Sequence, residues 1–191
     1  MFKKSLMLLA VAGLMAGFAS AGSALFTSTA TVAANTFTTG TVVITTSPTT
    51  ALVTFANMAP GDQVTNPLTV SNTGSLDLRY AMTSSSDNTD AKALRDQLVL
   101  TIKSGVSSCT NGGFGASGTQ VYSGALNGSF FGNPTAGNQT DDRTLAAGVN
   151  EALCFHVSLP LSTPGDGVTG YQNATTTATF TFQAEQTANN P

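Results

Sequence analysis

The sequence predicts an all-β protein, an antiparallel β-sandwich of the jelly-roll type with about seven to nine strands, one short helix and long glycine-rich loops. Several runs alternate apolar and polar side chains with a period of two, and turn residues separate these runs. Only 9% of residues are charged, against about 25% in a typical soluble domain. The chain has no tryptophan, so it lacks the Cys-Trp-Cys pattern of antibody domains. This absence favours the jelly roll over an immunoglobulin-like sandwich.

The strands are predicted from the alternation. The clearest run is 174–185, where alanine and phenylalanine occupy one parity and threonine, glutamine and glutamate occupy the other. A strict period of two is typical of a strand with one buried face. The same pattern or β-propensity predicts further strands at 41–45, 51–55, 63–71, 76–82, 98–103, 119–122 and 153–159.

Turn chemistry predicts how the strands connect. Residues 59–62 read Ala-Pro-Gly-Asp, a strong turn because proline fixes φ and glycine accepts a positive φ. Residues 72–74 read Asn-Thr-Gly and predict a tight hairpin between two strands. Residues 104–118 and 124–148 are rich in glycine, asparagine, serine and threonine and predict long loops.

One short helix is predicted at residues 90–97. Ala91, Leu94 and Leu98 follow a spacing of three and four. Thr89 or Asp90 is expected to cap the start of this helix.

The N-terminus has the pattern of a secretory signal peptide. Lys3 and Lys4 precede an apolar run at 6–19, and small residues crowd the segment that follows. The apolar run is shorter than the roughly 20 residues that a membrane-spanning helix needs. We therefore expect a signal peptide at 1–24, cleaved between Ala24 and Leu25, and one secreted domain at 25–191 with no stable membrane span. Cleavage after Ala21 also fits.

Charge argues against one class of partner. The chain has seven basic and ten acidic residues, with a formal net charge of −3. Nucleic-acid binding needs clustered lysine and arginine to replace phosphate counterions. No nucleic-acid partner is therefore expected.

The two cysteines are Cys109 and Cys154. In an oxidising extracellular compartment such a pair predicts one disulfide. The alternative is two separate buried thiols.

No catalytic, cofactor-binding or metal-binding residues are predicted. A zinc peptidase commonly uses two histidines and a glutamate, whereas His156 is the only histidine. Glu151 lies five positions away, so on one strand the two side chains face opposite ways. A Cys154–His156 nucleophilic pair fails if Cys154 is in a disulfide, which leaves His156 as a surface histidine. The loop acids are expected to be solvated rather than to bind calcium; they are Asp87, Asp90, Asp141, Asp142 and Asp166.

Four blocks of sequence resemble one family. They are LFTS at 25–28 with NTFTTGTV at 35–42, NMAPGD at 57–62, LTVSNTGSL at 68–76, and YQN at 171–173 with FTFQAEQ at 180–186. Their order and spacing resemble those of the TasA/camelysin (CalY-like) family, with Met58 where that family has leucine. Residues 85–148 lie outside the resemblance.

The resemblance implies a secreted jelly-roll protein of a biofilm matrix that polymerises into extracellular or cell-surface fibres. It implies as partners a signal peptidase, other copies of the chain and other matrix proteins. Camelysin-like members are also classed as cell-surface metallopeptidases, so peptidase activity is the alternative, and a monomeric adhesion module is a third. Without metal-ligand residues, the chain is expected not to be an enzyme.

The mature N-terminus is a candidate donor strand. Residues 25–37 are rich in threonine, valine and alanine and carry no charge, and in the resembling family this segment adds to the sheet of the next subunit. Phe26, Ala30 and Val32 share one parity and form its apolar face. The alternative is an ordinary strand at the edge of its own sheet.

Overall fold

A computed structural model describes residues 28, 30, 34–50, 52–163 and 170–190. The chain divides into two units, residues 1–38 and residues 39–191. The described residues of the first unit have no regular secondary structure. All the strands described below belong to the second unit.

The second unit contains nine strands among its described residues. They are β1 (Ile44–Ser47), β2 (Gln63–Asn72), β3 (Leu78–Ser86), β4 (Val99–Ser104), β5 (Thr119–Ala125), β6 (Phe130–Phe131), β7 (Arg143–Leu145), β8 (Asn150–Ser158) and β9 (Ala178–Gln186). A five-stranded sheet has the order β1-β2-β8-β4-β5, and a four-stranded sheet contains β6, β3, β7 and β9. Every pairing is antiparallel.

The core lies between the two sheets, as the predicted β-sandwich requires. Alternate residues of β3 and β8 point inward, and Met82 and Phe155 are completely buried. Burying one such side chain contributes about 1.5–3 kcal/mol. The pairs β2–β8 and β3–β9 join strands that are distant in sequence, which is a feature of Greek-key and jelly-roll sandwiches. The all-β fold class is therefore confirmed.

Three strand predictions differ from the structure. The first strand begins at Ile44 rather than at residue 41. The last strand begins at Ala178 rather than at residue 174, because Asp87 Oδ1 and Asp90 Oδ2 accept the backbone N–H groups of Thr177 and Thr175. The strand predicted at 51–55 is wrong, since residues 52–55 are not in a strand. The segment contacts β2 through a side chain instead, since Asn66 Nδ2 donates to the Leu52 carbonyl at 2.9 Å.

The predicted helix is reduced to one 3-10 turn, Leu94–Asp96. Ala91 and Ala93 both have φ of +57°. Because this left-handed conformation interrupts an α-helix, no helical ladder extends back to Thr89 or Asp90. Asp90 instead accepts the N–H of Lys92.

The turn at 59–62 is confirmed, but the hairpin at 72–74 is wrong. Asp62 N–H donates to the Ala59 carbonyl at 2.9 Å, and Gly61 has φ of +96°. After Asn72 the chain leaves the five-stranded sheet and enters β3 of the other sheet. The buried Asn72 side chain donates to the carbonyls of Leu76 and Leu145, which fixes this crossing.

The region predicted as a long loop at 124–148 contains β6 and β7. β9 pairs with the whole of β3 along one edge, so β6 and β7 share the opposite edge. Strands of two and three residues are too short to show a period in the sequence.

Candidate functional site

The predicted disulfide joins Cys109 to Cys154 with a Cα–Cα distance of 5.6 Å. It fastens the loop at 105–118 over the outer face of β8. Phe114 of this loop stacks on the His156 ring with centroids 4.5 Å apart. Lys103 Nζ lies over the Phe114 ring, 4.6 Å from its centroid, and donates to the Phe114 carbonyl oxygen at 3.0 Å. The disulfide and the aromatic stack therefore hold the loop against the sheet.

His156 lies beneath this loop, half-buried rather than on the open surface as the sequence predicts. Its Nδ1 is 2.7 Å from Thr65 Oγ1 on the neighbouring strand β2. Burial, and then the positive charge of Lys103, lower the pKa of His156. The ring is therefore neutral at pH 7 and serves as a packing surface for Phe114.

Glu151 lies on the opposite face of β8, as its odd spacing from His156 predicts. Tyr80 Oη donates to Glu151 Oε2 at 2.5 Å, and Arg143 Nε donates to the same oxygen at 2.9 Å. Arg143 Nη2 also contacts Oε1. Because Tyr80 and Arg143 belong to the four-stranded sheet and Glu151 to the five-stranded one, this network ties the two sheets together.

The contacts within this network shift the pKa values of Glu151, Arg143 and Tyr80. Burial raises the pKa of Glu151, but the hydrogen bonds from Arg143 and Tyr80 and the charge of Arg143 outweigh it and lower the pKa overall. The hydrogen bond to Glu151 raises the pKa of Arg143. Burial and the hydrogen bond to Glu151 raise the pKa of Tyr80. Glu151 and Arg143 are therefore both ionised, and the neutral Tyr80 hydroxyl donates a hydrogen bond to Glu151.

These residues do not fit a metal centre. The only histidine is engaged by Thr65 and Phe114, Cys154 is in a disulfide, and Glu151 is paired on the other face of the strand. Across the described ranges, no group of three or more histidine, cysteine, aspartate or glutamate residues is placed to hold a metal ion.

Most of the loop acids have structural partners. Asp87 and Asp90 accept backbone N–H groups of residues 175–177. Asp142 accepts the N–H groups of Asn133 and Gln139 at 2.8 and 3.0 Å. Asp166 lies outside the described residues. Asp87, Asp90 and Asp142 therefore organise loops through backbone hydrogen bonds, and Asp141 is exposed.

The predicted cleavage site and most of the donor strand lie outside the described residues. This applies to Ala24, Leu25, Phe26 and Val32, whereas Ala30 is described, exposed and outside any strand. The signal peptide and the donor strand therefore stay predictions.

The four-stranded sheet has a long edge at β9. This strand runs for nine residues, pairs with β3 in continuous register, and contains neither lysine nor proline. No other strand in the described part of the chain pairs with it. Its inward side chains Phe180 and Phe182 pack against the core but are only half-buried, whereas Met82, the register partner of Phe182, is completely buried. The backbone of this edge is therefore regular, and its inward apolar side chains are only partly covered.

The five-stranded sheet offers poorer edges. β1 has four residues, and Pro48 follows it directly. β5 pairs with β4 through a register shift between Ile102 and Lys103. Short strands, proline and bulges are features that protect an edge from pairing with another chain. β9 has none of them.

Over the described residues, the architecture defines a class: a two-sheet, disulfide-bonded β-sandwich with a long edge at β9 that no described strand pairs with. A protein-family model described as camelysin metallo-endopeptidase matches residues 1–98. The chain belongs to the camelysin family, and this membership supports a secreted or cell-surface protein.

The match ends just before β4, so the disulfide, His156 and Glu151 lie outside it. No curated protein matches the chain. Among the described residues, no helix has the length and apolar character needed to cross a membrane.

Proposed function

We propose that this protein is exported, cleaved after Ala24, and assembled into extracellular or cell-surface fibres of a biofilm matrix. Residues 25–37 of one copy add as a strand to β9 of the next. Each copy carries one donor segment and one acceptor edge, so the contact is heterologous and head-to-tail. Such contacts propagate into filaments when the rotation between subunits does not close a ring.

The open edge of β9 is the observation that carries this proposal. Its outward N–H and C=O groups supply main-chain hydrogen bonds to an added strand. The half-buried Phe180 and Phe182 lie beside the place where that strand's inward side chains would pack. The apolar parity Phe26, Ala30 and Val32 supplies such side chains, while the intervening threonines face water.

Charge placed on the buried parity of the donor segment should abolish fibres. We expect this of Ala30→Asp and Val32→Asp, because an unpaired charge buried at a subunit contact is strongly unfavourable. Thr29→Asp and Thr31→Asp are the matched controls and should weaken assembly less. Deletion of residues 25–36 should remove fibres and leave a folded monomer, measured by negative-stain microscopy and circular dichroism. If all four variants polymerise like the parent, or the deletion still forms normal fibres, strand addition is wrong.

A second set of variants tests the acceptor edge. Thr179→Lys and Thr181→Lys put charge beside the β9 edge on exposed positions, and lysine is a natural means of blocking edge pairing. The same change at Thr119 and Gln120, exposed residues of β5, is the control. Fibre yield should fall for the β9 pair and stay unchanged for the β5 pair. If fibre yield fell for the β5 pair and not for the β9 pair, the strand would add to the five-stranded sheet instead.

The family description makes peptidase activity the second candidate function. Since the ligand types of a zinc peptidase are not gathered in the described residues, we propose that the chain is not an enzyme.

Purified protein should therefore not cleave casein above background. Cleavage that persists through purification and is abolished both by a chelator and by His156→Ala would establish the peptidase instead. Measuring Thr65→Ala alongside distinguishes a ligand role of His156 from the packing role that its hydrogen bond indicates.

A further inference from the structure

An open groove of about 690 Å³ lies on the outer face of the four-stranded sheet. Its volume is within the 300–1,000 Å³ that is typical of small-ligand sites. Thr83 of β3 and Phe130 of β6 form one side. The other side is the loop that follows β6, through Asn133, Asn138, Gln139 and Thr140.

Phe130 presents an aromatic ring to this groove. Its neighbour Phe131 points into the core, where its ring lies 5.9 Å from Tyr80 and 6.4 Å from Phe182. Because successive side chains of a strand alternate, Phe130 faces outward beside Thr83 and is 62% exposed. A large exposed ring within a concave site is a candidate contact for a ligand with an apolar face.

The loop supplies polar groups next to the ring. Gln139 Nε2 donates to the Ala136 carbonyl at 3.0 Å, which fixes the orientation of the amide. Gln139 Oε1 is buried, and no described residue donates to it. Since solvent does not reach this atom, it is not an acceptor for a ligand in the groove. The polar groups beside the ring are those of the exposed lining residues Asn138 and Thr140.

The charge of the groove selects the class of ligand. Among the described residues that line it there is no lysine or arginine, and Asp141 is the single acidic one. An anionic ligand would meet a carboxylate with no cation to balance it. A neutral sugar fits better, because a pyranose ring combines an apolar C–H face with a rim of hydroxyl donors.

We propose that this groove binds a neutral hexose polymer, with one sugar ring stacked on Phe130 and its hydroxyls facing the polar side chains of the loop that follows β6. The site lies on the outer sheet face and does not depend on fibre assembly. A protein that failed to polymerise could still bind sugar, so the two proposals fail separately.

Saturation-transfer NMR on the full secreted protein tests this site. The probes are cellotetraose, maltotetraose, mannotetraose and tetra-N-acetylchitotetraose, with tetragalacturonate as the anionic comparison. Ring C–H protons of at least one neutral tetrasaccharide should receive saturation, and tetragalacturonate should receive less. Absence of transfer to all four neutral probes at millimolar concentration would overturn the proposal, as would equal or stronger transfer to tetragalacturonate.

Variants then locate the binding. Phe130→Ala should lower the affinity for the sugar at least tenfold. Phe130→Tyr keeps the ring and should change this affinity less than threefold. Phe55→Ala is the matched control, because Phe55 is 46% exposed but does not line the groove. Binding that survives Phe130→Ala, or that falls equally in Phe55→Ala, would show that the sugar binds elsewhere.

Discussion

Replacing both cysteines with alanine should lower the free energy of unfolding by about 4 kcal/mol. Cys109 and Cys154 are separated by 45 residues, and closing a loop of that length removes conformational entropy from the unfolded chain. The parent and the variant should share one native fold, because β8, which contains Cys154, is hydrogen-bonded to β2 on one side and to β4 on the other. The loss corresponds to a melting temperature lower by about 10 °C.

Denaturant unfolding of parent and double-alanine protein measures this difference. Reductant should lower the stability of the parent and leave the double variant unchanged, which separates the disulfide from other effects of reduction. Phe114, 8% exposed under the fastened loop, should become a site of chymotrypsin cleavage once the bridge is removed. Equal unfolding midpoints together with a protected Phe114 would show that the aromatic stack alone holds the loop.

The sequence predicts the long strands well because their period of two is imposed by burial of one face. β9 alternates half-buried and exposed residues along most of its nine positions, which is long enough for the period to be visible. β3 and β8 are equally long, but both of their faces are partly covered, and residues 78–82 of β3 are all buried. β6 and β7 are paired only because β3 leaves them an edge, and that edge is set by tertiary structure. The predicted helix fails for a related reason: its apolar spacing is present, but Ala91 and Ala93 adopt left-handed backbone conformations.

The disulfide could be predicted from the number of cysteines, whereas the hydrogen-bond network of Glu151 depends on contacts between residues that are distant in sequence. Two cysteines and an export signal are sufficient to predict the bridge. The partners of Glu151 are not predictable, because Tyr80 is 71 residues away and belongs to the other sheet. Arg143, a cation within a glycine-rich segment, is the one signal that could have indicated a buried acidic partner. Nothing in the sequence distinguishes Phe130 from the buried Phe131 beside it.

Glu151→Ala should lower the free energy of unfolding by about 3 kcal/mol. The change leaves the buried Tyr80 hydroxyl without its acceptor and Arg143 without its counter-ion, and it removes the tie between the sheets. Asp96→Ala is the matched control, because Asp96 and Arg95 are 3.7 Å apart and are 45% and 31% exposed. Such a surface pair contributes at most about 1 kcal/mol. Similar losses for both variants would mean that the Glu151 network is no stronger than an exposed ion pair.

The charge of Glu151 can be separated from its packing by pH. Its pKa is lower in the folded protein than the ordinary value of 4.5, so the unfolded chain binds a proton first as the pH falls. The stabilisation is therefore fully present above about pH 5 and is lost as the pH falls through the folded pKa. Glu151→Gln keeps the shape but not the charge. The stability difference between the parent and this variant should be constant from about pH 5 to 8 and shrink below that range. A difference that stays constant into acid would assign the stabilisation to shape and neutral hydrogen bonding, not to the ion pair.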